Sequence, residues 1–175
     1  MARILIVYST TDGHTLRICE ALRGLIEPQG HQVTLVPVAQ ARDAELGPYD
    51  KIVVGASIRY GRHSPMLVDF IERNAQALNR KASAFFSVSV VARKPEKNQP
   101  HTNPYVRKLL RRIAWRPRAV GVFAGKIDYP RYSPMDRMII RFIMLLTGGP
   151  TDPKAVVEFT DWRQVEAFGR LVAKM

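Results

Sequence analysis

The chain of 175 residues holds a single cysteine, Cys19, which excludes an internal disulfide. Cys19 falls among apolar neighbours at helical spacing, the ordinary setting of an inert buried thiol. No apolar run reaches the ~18 residues expected of a membrane-spanning helix. The opening segment, MARILIVYSTTDG, has a short apolar run but no small-residue cleavage pattern, so it reads as a first strand and not as a signal peptide. Neither G-x-x-x-x-G-K-[ST] nor G-x-G-x-x-G occurs, which argues against a nucleoside triphosphate and against the dinucleotide fingerprint. The histidines His14, His31, His63 and His101 fall on separate elements without ligand-like pairing to Cys19. No metal site is expected, and no Ser-His-Asp triad. Acidic residues are scarce: 15 Asp and Glu stand against 27 Lys and Arg, a net charge of +12. Such a surface favours anionic partners, whether nucleic acid, an anionic membrane face or acidic small molecules.

The length suits one domain, residues 1–175, with material for a full core. Apolar strands are expected at Arg3–Tyr8, about Gln32–Val38, from Lys51 (KIVVGAS), at Ala82–Val91 and about Arg118–Ala124. Helical spacing links Ile18, Ala21, Leu22, Leu25 and Ile26, and then Leu67, Phe70, Ile71, Ala75 and Leu78. A further set is Val106, Leu109, Leu110 and Ile113, and the last is Val165, Phe168 and Val172. Ser64-Pro65 and Asn103-Pro104 are cap-plus-proline starts. Strands alternating with helices predict an α/β fold: a doubly wound, five-stranded parallel sheet covered on both faces. Residues 126–159 interrupt the alternation as an insertion. Ser133-Pro134 starts a helix there, Thr147-Gly148-Gly149-Pro150 ends it, and KAVVEF reads as a short strand, a second piece of strand five.

In an open parallel sheet, ligands bind beyond the carboxyl ends of the strands. At that place on strand one lie Ser9, Thr10, Thr11, Asp12, Gly13, His14 and Thr15. Gly13 permits a tight turn, and hydroxyls with the free N–H groups of a helix start converge on one anion. Without a lysine, this is a cradle for a monophosphate; the competing reading is a Ser/Thr-rich capping turn. Ala56, Ser57, Ile58, Arg59, Tyr60 and Gly61 follow strand three, and Ser87, Val88, Ser89, Val90, Val91, Ala92 and Arg93 follow strand four. A flat heterocycle stacked on Tyr60 and bonded to backbone groups of both loops would fit their joint placement.

STTDGHT resembles the phosphate signature of flavodoxins. With GASIRYGRH, SVSVVARKPEKNQPHTNPYVRK, WRP, the YPRY-to-GG insertion and FTDW, nearly the whole chain resembles the flavodoxin-like, quinone-dependent protoporphyrinogen IX dehydrogenases of bacteria. The resemblance implies FMN, held by its phosphate at Ser9–Thr15 and flanked at its ring by Ala56–Gly61 and Ser87–Arg93. It implies oxidation of protoporphyrinogen IX to protoporphyrin IX, with ubiquinone or menaquinone as acceptor. The chemistry would reside on FMN, and no catalytic side chain is assigned.

Flavodoxins that serve as electron carriers are acidic, so +12 departs from that subgroup. Arg93, Lys94, Lys97, Arg107, Lys108, Arg111, Arg112, Arg116 and Arg118 face one acid, Glu96, over a short stretch. Either this is a solvated basic face, or it serves the propionates of a porphyrinogen and the anionic surface of a membrane. Arg59, Arg93, Lys94, Lys97 and Arg131 are the candidates for propionate contacts. The helix after Ser133 is too short to span a bilayer and is rich in apolar residues. It is expected against the core, in a membrane interface or as a groove wall. The expected location is cytoplasmic, peripheral to the inner face of the cell membrane. Homo-oligomer formation is compatible with all of this. A general NAD(P)H-fed quinone reductase, a one-electron carrier and a nucleic-acid-binding module are the alternatives; no aromatic-studded basic strand favours the last, and no nucleic acid is expected as a partner.

Overall fold

The computed structural model describes every residue except Asp43. Its strands are β1 (Arg3–Tyr8), β2 (Gln32–Pro37), β3 (Lys51–Arg59), β4 (Arg62–His63), β5 (Ala82–Ser89), β6 (Ala119–Ala124), β7 (Lys126–Asp128) and β8 (Val156–Glu158). Its helices are α1 (His14–Ile26), α2 (Pro65–Arg80), α3 (Pro104–Arg112), α4 (Pro134–Thr147) and α5 (Trp162–Lys174). The main sheet runs β2-β1-β3-β5-β6, parallel throughout, with β4 added antiparallel to β3. This is the expected five-stranded doubly wound sheet, with a strand order that reverses at β1 and β3.

Period-two alternation splits the core. Leu5 and Val7 of β1 join Ile52, Val54 and Phe85 under α2 and α3, while Ile4 and Ile6 join Val53, Phe86 and Phe123 under α1 and α5. Each such side chain fully withdrawn from water is worth about 1.5–3 kcal/mol. Gly55 lies on the α1 and α5 face of β3, beside Phe86. A Cβ there would stand 2.6 and 2.9 Å from Cε1 and Cε2 of Phe86, whose ring is already wedged by Phe123 and Phe168. Cys19 is fully buried beside α5, and burial pushes its thiol pKa far above the ordinary range. Lys51 is also buried; its Nζ donates to the carbonyls of Val172 (3.1 Å) and Ala173 (2.7 Å), closing the end of α5.

The expected helix starts are present. Asn103 Oδ1 accepts from the N–H groups of Tyr105 and Val106, Ser133 Oγ from that of Asp136, and Asp161 Oδ1 from that of Arg163. Ser64 differs. It occupies the cap position of α2, but its side chain makes no capping bond, and its carbonyl instead receives the N–H groups of Leu67 and Val68.

Three details correct the sequence reading. Strand β5 ends at Ser89, and Val90–Arg93 forms a 3₁₀ turn. Strand β3 runs on to Arg59 and turns back through Tyr60-Gly61, both with positive φ (49° and 75°), into β4. That is the two-residue hairpin geometry with left-handed residues at both central positions. Strand β8 is not a second piece of strand five: it pairs antiparallel with β7 in a separate ribbon. Under that ribbon Ile127, Tyr129, Tyr132 and Met144 form a small third core that seats α4.

His63, at the end of the hairpin, is buried, edge-on to Phe85 and 2.9 Å from Ser87 Oγ through Nε2. Burial lowers its pKa to about 4, so it folds as the neutral ring. An unfolded histidine titrates near 6.5, so the stabilisation is whole above that pH and is lost as pH falls toward 4. Urea unfolding at pH 7 and pH 5 should show a drop that shrinks by about 2 kcal/mol in His63→Gln. An equal drop in both proteins would contradict the assignment.

Candidate functional site

The carboxyl ends of β1, β3 and β5 meet at one edge of the sheet. At β1 the ladder persists to Ser9, whose N–H donates to the Gly55 carbonyl at 2.9 Å. The chain then turns. Gly13, at φ 85°, takes a conformation that an L side chain resists, and its N–H donates to Thr10 Oγ1 at 2.9 Å. Helix α1 starts at the next residue with no side-chain cap and no acidic residue in its first turn. Its leading N–H groups are therefore directed to whatever enters the hollow in front of them.

That hollow, of about 160 Å³, is lined by Thr10–Thr15, Arg17, Ser57–Arg59, Val88–Val90, Gly125, Lys126, Asp128, Arg131 and Tyr132. A second, of about 190 Å³, shares Asp12, Ile58, Arg59, Ser89, Val90, Lys126 and Tyr132 with the first. It adds Tyr60, Gly61, Val91, Arg93 and Tyr105, with Ile140, Ile143 and Met144 of α4. Together they make one cleft, polar and cationic at the α1 end and apolar at the α4 end. Ser9 lies at the root of the first loop and borders a shallower hollow on the β2 side. Ser9 Oγ and Ser89 Oγ are buried without a hydrogen-bond partner among the described residues. An unpaired buried hydroxyl costs about 1–3 kcal/mol, so both positions fit groups that a ligand would satisfy.

Sequence reasoning placed most of this lining. Ala56, Ser87 and Ala92 stand elsewhere: Ala56 and Ala92 are in the core on the α2 side, and Ser87 turns its hydroxyl to His63 on that same side. Their neighbours Ser57 and Val88 face the cleft, as strand alternation requires. Of the proposed cations, Arg59, Arg93 and Arg131 border the cleft, while Lys94 and Lys97 line neither hollow. Arg93 is committed to the carbonyls of Val90 and Thr147, both at 3.1 Å. Lys126, Asp128, Tyr132 and Tyr105 were missed, and α4, with a groove wall among its expected places, lines the cleft through Ile140, Ile143 and Met144. The GVFAGK sequence running off β6 was the one local sign that Lys126 follows a strand end.

The first residue of α1 is tied to the far end of the chain. His14 Nε2 lies 2.6 Å from Thr160 Oγ1, which donates to the Ala124 carbonyl at 2.7 Å. The hydroxyl's one proton is thereby used, so His14 Nε2 carries the hydrogen. Glu158 stands 3.9 Å from His14 Nδ1, accepts from Arg17 Nη1 at 2.6 Å and from Trp162 Nε1 at 3.0 Å. Burial, assisted by Arg17 and Lys126, lowers the His14 pKa, with Glu158 opposing. The ring is therefore neutral at neutral pH, and positive potential at this end comes from N–H dipoles, Arg17, Lys126 and Arg131.

Residues 5–154 match the family described as flavodoxin domain. The chain belongs to that family. Over 173 residues, 99% of this chain and 96% of its counterpart, this flavodoxin domain is 42% identical to the protoporphyrinogen IX dehydrogenase [quinone] of Escherichia coli (strain K12). The protein of the same name from Leishmania major is 42% identical over 167 residues, 95% of this chain and 72% of its own. Among solved structures, the two-electron reduced flavodoxin of Megasphaera elsdenii aligns over 98% of this chain and 99% of its own, with a TM-score of 0.59 at 12% identity. That likeness establishes the fold. A flavodoxin domain implies a flavin cofactor, and the cleft's donor set and orphaned hydroxyls fit one.

Thr160→Val deletes both the acceptor for His14 Nε2–H and the donor to Ala124. Thermal or urea unfolding should show a loss of about 1–2 kcal/mol. Unchanged stability would mean that this bridge does not hold the start of α1.

Proposed function

We propose that this flavodoxin domain oxidises protoporphyrinogen IX to protoporphyrin IX with FMN as cofactor and a membrane quinone, ubiquinone or menaquinone, as electron acceptor. The observation that carries the reading is the 42% identity, spread over 99% of the chain, to a protein named for that reaction. The flavin, when bound, supplies the two-electron redox chemistry. The chain supplies binding and electrostatics. Ser9–Thr15 would hold the phosphate through hydroxyls and the N–H groups that open α1, with Arg131 and Lys126 adding positive charge. Ser57–Gly61 and Val88–Val91 would flank the ring, with Ser89 Oγ offering a hydrogen bond. Ala56 and Ser87 would serve from behind, by setting the strands that carry these residues. Arg59, Arg93, Lys94, Lys97 and Arg131 are the proposed partners of substrate propionates. Arg131 is the best placed, since it borders the cleft and is exposed.

The proposed meeting place with the quinone is an anionic membrane surface on the cytoplasmic side. No helix among the described residues is long and apolar enough to cross a membrane. Helix α4 exposes Met135, Met138, Phe142, Leu145 and Leu146 at 61–70% of their surface. A patch of that kind marks an interaction site, and the net charge of +12 favours anionic lipid.

Anaerobic turnover of protoporphyrinogen with a quinone, followed by porphyrin fluorescence, should proceed in FMN-loaded protein and fail in its absence. Ser9→Ala should raise the Kd for FMN about ten-fold and leave riboflavin binding nearly unchanged, because only the phosphate contact is lost. FMN-loaded protein without turnover would reject the activity. The protein should also co-sediment with vesicles containing phosphatidylglycerol, and Phe142→Asp with Leu146→Asp should release it. Equal sedimentation of the native and doubly substituted proteins would reject α4 as the contact.

A further inference from the structure

Among the described residues, Tyr60 is the one non-glycine with φ in the left-handed region, at 49°. For an L residue with a bulky side chain this conformation costs roughly 1–2 kcal/mol. The hairpin turn between β3 and β4 demands it, and something outside the hairpin must hold it there. The Tyr60 hydroxyl donates to a carboxylate oxygen of Asp136, a residue 76 positions away in the first turn of α4. The other carboxylate oxygen receives Arg59 Nη2 at 3.3 Å, and Arg59 Nη1 reaches Asp12 Oδ2 of the first loop at 2.9 Å. Arg59 also lies over the rings of Tyr60 (5.5 Å) and Tyr132 (5.1 Å). A chain of contacts, Asp12–Arg59–Asp136–Tyr60, thus ties the first loop, the hairpin and the insertion helix together around the cleft.

Asp136 lines neither hollow of the cleft, whereas Arg59 lines both and Tyr60 lines the apolar one. Its side chain is only partly exposed, at 31%. It stands in the first turn of α4, a favourable place for a carboxylate, and only its backbone N–H reaches the Ser133 cap, at 3.2 Å. We propose that Asp136 is a positioning residue for the flavin: it acts through Tyr60 and Arg59, fixing the hairpin tip that borders the ring end of the cleft. The assignment gives the insertion helix a second task besides its exposed face, and it rests on the flavin reading above. Because both side chains that the carboxylate binds, Arg59 and Tyr60, belong to the hairpin beside the ring end, its loss should affect every ligand that carries the ring, with or without a phosphate.

The test is equilibrium titration of the apo-protein with FMN and with riboflavin, read by flavin fluorescence. Asp136→Ala should weaken both ligands by a common factor of about ten. Asp136→Glu should restore most of it. Tyr60→Phe, costly in the native background, should cost little further in Asp136→Ala, since the hydroxyl has already lost its partner. Ser133→Ala weakens the helix cap without touching the carboxylate, and should leave both affinities within about two-fold of native. The assignment is overturned if Asp136→Ala leaves both affinities unchanged, if it weakens FMN alone, or if Ser133→Ala reproduces its loss. Native protein that binds neither flavin would overturn the underlying cofactor reading instead, and this assignment with it.

Discussion

The parallel register of β1, β3 and β5 is the constraint on which everything functional here rests. Tyr8 lies beside Gly55, and Gly55 beside Phe86, so the three strands point their carboxyl ends the same way, β3 and β5 running on past the end of β1, and their loops open at one edge. The close approach at Gly55 leaves no room for a Cβ against the Phe86 ring. Core packing and site geometry are therefore one requirement at this point: a shift of a single residue in any of the three strands would turn its loop residues to the opposite face.

Much of the architecture was written in local chemistry. Apolar strands, cap-plus-proline starts and helical spacing gave the elements and the sheet, because each signal needs only a few neighbouring residues to act. The ribbon of β7 and β8 was not legible that way. Its pairing of Ile127 with Val157 depends on partners thirty residues apart and on the small core of Tyr129, Tyr132 and Met144 beneath it. The hairpin at Tyr60-Gly61 was hidden for another reason: tyrosine is a poor residue for a left-handed turn, and the contact that holds it comes from α4.

The cleft shows the same division. Residues on the loops after β1, β3 and β5 follow from their place at strand ends; Ala56 and Ser87 miss the cleft through strand alternation, Ser9 borders the neighbouring hollow, and Ala92 is taken into the core. Lys126, Tyr132 and the inner face of α4 enter from the insertion, where no strand-end rule points. The basic stretch also divides in space: Arg93 is absorbed into the fold by the carbonyls of Val90 and Thr147, whereas Arg107, Lys108, Arg111 and Arg112 remain on the exposed side of α3.

The burial of Cys19 has a practical side. With its sulfur sealed beneath α5 and its thiolate disfavoured, the native chain offers alkylating reagents no ready target. A cysteine introduced on the outer surface of α4 would then be the sole site for a spin label or fluorophore, and distances measured from it would follow the insertion without competition from elsewhere in the molecule.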